Sequence, residues 1–409
     1  MHENYSLGLY TLEKEIGSGS FATVWKGRHS LTGFVVAVKV IEKEQMKENF
    51  PHINFEREIT FMKEIEHPFI ATLYEVIEDE FRYYLVMEFA DHGNLLDYVN
   101  SNGRLAEELA KKFFSQIISS LVHLHLVCKV AHRDIKCENI LLDKYDNVRL
   151  IDFGLSNSFT DGSPQMNTTC GSPAYAAPEM VLGQSYNKSA DIWSTGVLLY
   201  AIVVGHLPFE DKSVRRLLNL ILYADVKYPS FLSPLLVDLL KKMLVRDPNE
   251  RITLDQIQSH PWFMKTDISD FAHKCRSFRC NNDEVDIEVI KEMGQFGFGF
   301  QSTLETVSNK KDQKIVSIYK MVSRFILLER IKDISNKPVI DDHKTFPPVR
   351  RPSVPVTQRL LLNENKKHFC TTTNNALASP QVKIQVPKVV KMRRNSINLS
   401  THQVDQTFM

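Results

Sequence analysis

The strongest constraint on the fold of this chain is a change of rhythm along it. Short runs of β-branched and aromatic residues come first, as in "VVAVKVI" from Val35 and "YYLVMEF" from Tyr83. A long stretch at helical spacing follows, "LAEELAKKFFSQIISSLVHLHL" from Leu105. Runs of the first kind read as strands, and the second reads as an amphipathic helix. Strands dominate early and helices later between about Tyr10 and Phe263. That order predicts an α+β architecture, a small sheet-rich lobe joined to a larger helical one. No internal repeat is visible.

Composition narrows the class. A chain of 409 residues with 43% hydrophobic content is able to bury a sizeable core. The formal net charge of +1 gives no general pull toward nucleic acid or an acidic membrane, so no nucleic-acid partner is expected. Six cysteines without CxxC pairs suggest neither a zinc site nor a disulfide framework, and fit a reducing compartment. The opening "MHENYSLGLYTLEKEIG" lacks a basic segment followed by an apolar one, so no secretory signal is expected. The longest apolar run, Gly196–Phe209, is too short to span a bilayer and reads as a buried core helix. The expectation is a soluble cytoplasmic protein without an integral membrane segment, with the nucleus also open to it.

Two regions follow the first. Residues 264–282 read as a linker and 1–9 as an N-terminal extension. Residues 283–328 carry apolar positions at helical spacing in three short blocks, punctuated by "GQFGFG" and "SNKKDQ". They predict a small three-helix bundle near the minimum size for a core. Residues 329–409 read as a basic, mostly disordered tail. From Ile331 onward it holds 13 Lys and Arg against 5 Asp and Glu, a net +8.

The residues that carry chemistry begin at "IGSGSFATVWKG", Ile16–Gly27. Gly17 and Gly19 flank Ser18 between strand-like runs, and glycine lets backbone N–H groups approach a phosphate. Read alone, the stretch also fits a tight hairpin. The third glycine of GxGxxG is replaced by Ala22, and the stretch opens a sheet, so it is not a dinucleotide fingerprint. In "VAVKV", Lys39 stands in an apolar strand, where an ammonium is costly to bury unpaired. Glu58, in a predicted helix, is a carboxylate able to hold it. The octet "HRDIKCEN", His132–Asn139, crowds acids, cations, an amide and an imidazole together. "IDFGLSN" begins at Ile151 and "APE" at Ala177.

The order GxGxFxxV, VAVK, a helix Glu, HRDxKxxN, DFG and APE resembles the eukaryotic protein kinases, over roughly 250 residues. The resemblance implies a bilobal kinase fold, ATP and Mg²⁺ as cofactors, and protein substrates. It implies that Asp134 accepts the substrate hydroxyl proton and that Lys136 neutralises the moving phosphoryl group. Asn139 and Asp152 would be the oxygen ligands of Mg²⁺. Lys39, held by Glu58, would position the α- and β-phosphates. The nucleotide would lie against Ile16, Gly17, Ser18, Gly19, Ser20, Phe21, Ala22, Thr23, Val24 and Ala37. Met87 would flank the adenine, and Glu88 and Ala90 would offer hinge backbone groups. Glu179 would pair with Arg251 to tie down the activation segment.

Lys136 and Ser172, the latter in "CGSPAYAAPE", match the serine/threonine pattern. "DFGLSN", "TTCGSPAYAAPE" and "DIWSTGVLLYAIVVGHLPFED" resemble the branch of the AMP-activated and calcium/calmodulin-dependent kinases. That likeness implies an activating phosphothreonine at Thr168, set by an upstream kinase, with Thr169 and Ser163 as rivals. Arg133 is the cation implied to bind the phosphate. "VIKEMGQFGF", with Met293, Gly297 and Phe298, resembles a ubiquitin-associated-like domain. It implies a module that contacts the catalytic domain within the same chain. Asn94 stands where the branch often has a glutamate that meets a substrate arginine, which weakens basic-directed specificity, though Glu138 remains. Ser353 and Ser396 each follow an arginine pair and suit basophilic kinases. The alternative to an enzyme is a pseudokinase scaffold acting through the small domain and tail. Lys39, Asp134, Asn139 and Asp152 are all present, which weighs against it.

Overall fold

Lys39 lies in a strand whose alternate residues face two different cores. In β4 (Val35–Glu42), Val36, Val38 and Val40 join a cluster with Tyr84 and Val86 of β6 (Arg82–Glu88). Ile41, of the same parity as Lys39, joins the main core. Successive side chains of a strand point to opposite faces, so a strand covered on both sides is apolar almost throughout. The computed structural model describes residues 5–19, 22–45, 55–152, 173–184, 187–264 and 285–335.

The sheet has six antiparallel strands in the order β1-β2-β3-β4-β6-β5. The remaining strands are β1 (Tyr5–Leu7), β2 (Tyr10–Ser18), β3 (Ala22–His29) and β5 (Leu73–Glu78). Residues read as an N-terminal extension thus supply an edge strand: Tyr5 faces Leu12 and Leu7 faces Tyr10, which burial of Leu7 rewards. Helix α1 (Phe55–Glu64) precedes β5.

The larger lobe is helical. It contains α2 (Leu95–Asn102), α3 (Glu107–Val122) and the short pair β7 (Ile140–Leu142) and β8 (Val148–Leu150). Then come α4 (Pro178–Val181), α5 (Ser189–Val204), α6 (Val214–Tyr223), α7 (Pro234–Met243), α8 (Leu254–Gln258) and α9 (Pro261–Met264). Helix α3 opens with Glu107 and Glu108, favourable beside the positive end of the helix dipole. Ala110, Phe113, Phe114, Ile117, Ile118 and Leu121 fill its buried stripe. Helix α5 is the buried helix read from its apolar run, and Gly205 closes it at φ 92°. Among the described residues, no helix is long and apolar enough to cross a membrane.

Residues 287–335 form three helices, α10 (Ile287–Met293), α11 (Phe300–Ser308) and α12 (Gln313–Ser335). Val289, Ile290, Met293, Val307, Ile318 and Val322 make their own core, and Gly297 turns the chain at φ 87°. Helix α12 runs past residue 328, where the sequence pattern fades. Its last turns are held by the buried Ile331 and by Arg330 donating to Glu288. Helix α12 has a second apolar face: Met321 joins the sheet cluster of Val36, Val38 and Val40. Phe34 packs against both Phe296 and Phe325.

Gly196 lets α5 pack tightly against the end of α7. A Cβ there would stand 3.0 Å from Met243 Cβ and 3.1 Å from Leu244 Cδ2. Gly196→Leu is therefore expected to destabilise the chain by about 1–3 kcal/mol through overpacking, read as a lower thermal midpoint.

Candidate active site

Strand register builds one wall of the site. Lys39 lies opposite Val24 on one side and Leu85 on the other, while Ala37 lies opposite Met87. Above it, Gly17 pairs with Val24 and Ser18 with Thr23, and Gly19 N–H donates to Ala22 O at 2.8 Å. A Cβ at Gly17 or Gly19 would meet only ordinary contacts, at 3.7 and 3.6 Å. The hairpin itself therefore has room for side chains, and the two glycines leave its backbone bare to an approaching ligand. Ile16 is half-buried beside them. Ser20 and Phe21 lie outside the described residues.

The opposite wall is the His132–Asn139 segment. Lys136 Nζ donates to Asp134 Oδ2 at 2.7 Å, and Asn139 Nδ2 donates to the same oxygen at 2.7 Å and to Asp134 O at 2.8 Å. With its amide nitrogen so engaged, Asn139 has its oxygen left to accept or ligate. Asn139 O accepts from Ile151 N–H at 3.0 Å. His132 Nδ1 accepts from Asp134 N–H, so Nε2 carries the proton it donates to Ile151 O at 3.0 Å. Burial holds His132 below the usual imidazole range, which keeps this neutral tautomer. Both backbone groups of Ile151 are thus stitched to the loop, and Asp152 follows immediately.

Asp152 adopts φ 61° and Arg133 φ 71°, conformations that side chains other than glycine rarely take. Asp152 receives Lys39 Nζ at 2.5 Å. Burial pushes its carboxyl up, but the charge and hydrogen bond of Lys39, with the charge of Lys136, outweigh that and hold it below the usual range. The charged carboxylate and the free Asn139 oxygen form an open donor set of two. A hard cation that completes its shell with water and phosphate oxygens fits such a set, so the residues suit Mg²⁺ with ATP. Among the described residues, no group of three or more His, Cys, Asp or Glu is clustered to enclose a metal.

Burial separates working carboxylates from structural ones. Asp134 and Asp152 are 33% and 37% exposed, open to a ligand. Glu179 and Asp191 are 2% and 1% exposed. Glu179 accepts a bidentate pair from Arg251, at 2.7 and 2.9 Å. Asp191, on α5, was not singled out by its sequence context. It accepts from His132 N–H at 2.8 Å, Arg133 N–H at 2.7 Å and His125 Nε2 at 2.7 Å. It fixes the backbone of the loop from below.

The hinge residues divide by parity. Met87 packs toward the main core, whereas the Glu88 side chain is buried on the opposite face, and its N–H is spent on Thr72 O. Ala90 is buried. Asn94 caps α2: its Oδ1 accepts from Asp97 N–H at 2.8 Å and its Nδ2 donates to Asp97 Oδ2 at 3.0 Å. Glu58 lies on α1 with its side chain outside the described residues, as do Ser163, Thr168, Thr169, Ser172, Ser353 and Ser396 in full.

Burial pushes the Asp191 carboxyl up, and the His125 hydrogen bond and charge, with the Arg133 backbone N–H, bring it below the usual range. Its contribution to stability is then full above about pH 4 and lost as the pH falls through the depressed value. Asp191→Asn is expected to cost about 2–4 kcal/mol near neutral pH. The gap to wild type should narrow below about pH 4 in denaturant titrations at several pH values.

Comparison with known proteins follows this geometry. Residues 10–263 match the family described as protein kinase domain. The chain is 38% identical over 334 residues to serine/threonine-protein kinase SIK2 of Gallus gallus, covering 80% of this chain and 41% of that protein. It is 36% identical over 360 residues to serine/threonine-protein kinase SIK1 of Mus musculus, covering 86% and 44%. For SIK1 of Rattus norvegicus the identity is 37% over 356 residues, covering 85% and 44%. The chain spans less than half the length of these relatives. With the kinase motifs folded into one cleft and the matched region filling both lobes, the chain belongs to the protein kinase family.

Proposed function

We propose that the chain transfers the γ-phosphoryl group of Mg·ATP to serine and threonine hydroxyls of proteins. The observation that carries this reading is the pair of open carboxylates, Asp134 and Asp152, held in register through Ile151 and each paired with a lysine. Mg·ATP supplies the phosphoryl group and the charge that screens it.

The residues do the rest by position. Both Asp134 bonds from Lys136 and Asn139 fall on Oδ2, and Oδ1 carries no bond among the described residues. Oδ1 is the atom to receive a substrate hydroxyl proton. Lys136, 2.7 Å from the same carboxylate, brings a positive charge to where the transferred group passes. Lys39 holds phosphate oxygens from the sheet side. Two serine/threonine kinases among the relatives, and Lys136 two residues after Asp134, support Ser/Thr acceptors.

Phosphorylation of Thr168 by an upstream kinase is the proposed switch, with Arg133 as the cation beside it. Residues 287–335 are proposed to be a ubiquitin-associated-like brace for the catalytic domain, and the protein to work in the cytoplasm or nucleus. Substrates with a basic residue near the acceptor are favoured. Glu138 is half-buried, one of its oxygens has no partner among the described residues, and burial raises its carboxyl.

The test is transfer from Mg·ATP to serine and threonine peptides by wild type, Asp152→Asn and Thr168→Ala. Wild type should transfer. Asp152→Asn should fall by at least about 10²-fold. Thr168→Ala should stay weak after treatment with an activating kinase. Absence of transfer by wild type after that treatment overturns the reading in favour of a scaffold.

A further inference from the structure

The back face of the sheet contains a group of buried charges that the catalytic domain does not balance by itself. Glu88 ends β6 within the hinge, and the pleat turns its side chain away from that of Met87. Arg149 Nε donates to Glu88 Oε1 at 2.6 Å, and Arg149 Nη2 donates to Asp143 Oδ2 at 2.7 Å. The side chains of Glu88, Asp143 and Arg149 are 5%, 6% and 0% exposed. Among the described residues of 10–263, then, these two buried carboxylates share one guanidinium.

The second guanidinium comes from α12. Arg324 Nε donates to Glu88 Oε2 at 2.8 Å. Its remaining donors reach His67 O at 3.0 Å, Pro68 O at 2.9 Å and Ile70 O at 3.0 Å. Segment 67–71 is bonded in turn to β8, through Leu150 N–H to Phe69 O at 2.8 Å and Ala71 N–H to Leu150 O at 3.0 Å. Asp152 follows β8 by two residues. One side chain therefore touches the hinge carboxylate and the segment bonded to the strand that leads to Asp152.

We propose that Arg324 is a positioning residue for the nucleotide, which completes the buried charge balance at Glu88 and so fixes the hinge Met87–Ala90. The inference rests on the nucleotide reading of that hinge. Removing Arg324 leaves the Glu88 and Asp143 carboxylates buried on the single guanidinium of Arg149, a costly shortfall of positive charge. Glu88 can relieve that only by moving or by taking a proton, and either shifts the backbone on which Met87 and Ala90 stand. In accord with this, burial pushes the Glu88 carboxyl up, and Arg324 and Arg149 overcome that to hold it below the usual range. Two other α12 contacts do not touch Glu88: Ser317 Oγ donates to Tyr74 O, and Lys320 Nζ to Lys63 O.

The experiment measures binding of a non-hydrolysable ATP analogue with Mg²⁺ to the full chain by calorimetry. ATP and peptide KM are measured beside it. Arg324→Gln is expected to weaken nucleotide binding roughly tenfold, while peptide KM at saturating ATP changes less than about twofold. Ser317→Ala, which loosens docking without touching Glu88, should leave nucleotide affinity unchanged. In Glu88→Gln, the further change Arg324→Gln should lose most of its effect, since the charge it balances is gone. Unchanged affinity in Arg324→Gln overturns the proposal, as does an equal loss in Ser317→Ala. If Arg324→Gln does not fold, Arg324→Lys decides, because it keeps the charge and loses the fork. Nucleotide affinity kept within about twofold supports the charge-balance proposal, and a tenfold loss overturns it in favour of the fork's backbone contacts. Wild type that binds the analogue without transferring phosphate overturns the proposed activity and leaves this comparison intact. Wild type that binds none overturns both.

Discussion

The Asp191 carboxylate is the fixed point of the catalytic cleft. It is buried in the middle of the larger lobe, and its oxygens receive two consecutive backbone N–H groups and an imidazole. A buried charge is tolerable only with such full satisfaction, and once satisfied it is hard to move. The strained φ of Arg133 persists because this anchor over-determines it. His132 then reaches Ile151, and Ile151 delivers Asp152 to the cleft. Geometry at the open carboxylates is inherited from one that no ligand touches.

The working groups were legible in the sequence because their chemistry is local. Lys39 is conspicuous as an ammonium in an apolar strand, and Asp134, Lys136 and Asn139 sit within one octet. The strand and helix patterns that position them also follow from short-range periodicity. Glu179 and Arg251, 72 residues apart, were legible only through the family resemblance, and Asp191 and Arg324 were not legible, because their partners are distant in the chain. Asp191 meets Arg133 across 58 residues, and Arg324 meets Glu88 across 236. A single arginine on a helix gives no local sign that its target is a hinge. The end of α12 was missed for a related reason: its last turns are held by tertiary contacts, not by a continuing apolar stripe.

Asn94 shows how a position can carry two meanings. As sequence it marks a lost carboxylate in a substrate-facing place. In the fold its amide is committed at both ends to Asp97, where it starts α2. An N-cap amide contributes about 1 kcal/mol, enough to fix its orientation. Glu138 remains on that rim, its carboxyl raised by burial and, to a lesser degree, by the nearby Asp134 and Asp97 charges.

Helix α12 is apolar on two sides, and this decides where the molecule can be divided. A family boundary drawn at residue 263 separates the sheet from Met321, Phe296 and Phe325. The isolated lobes would present Phe34 and the rim of a valine-rich sheet to water, a contiguous apolar patch of the kind that drives self-association. A piece cut at residue 263 therefore leaves that patch uncovered, whereas one that keeps the three helices covers it.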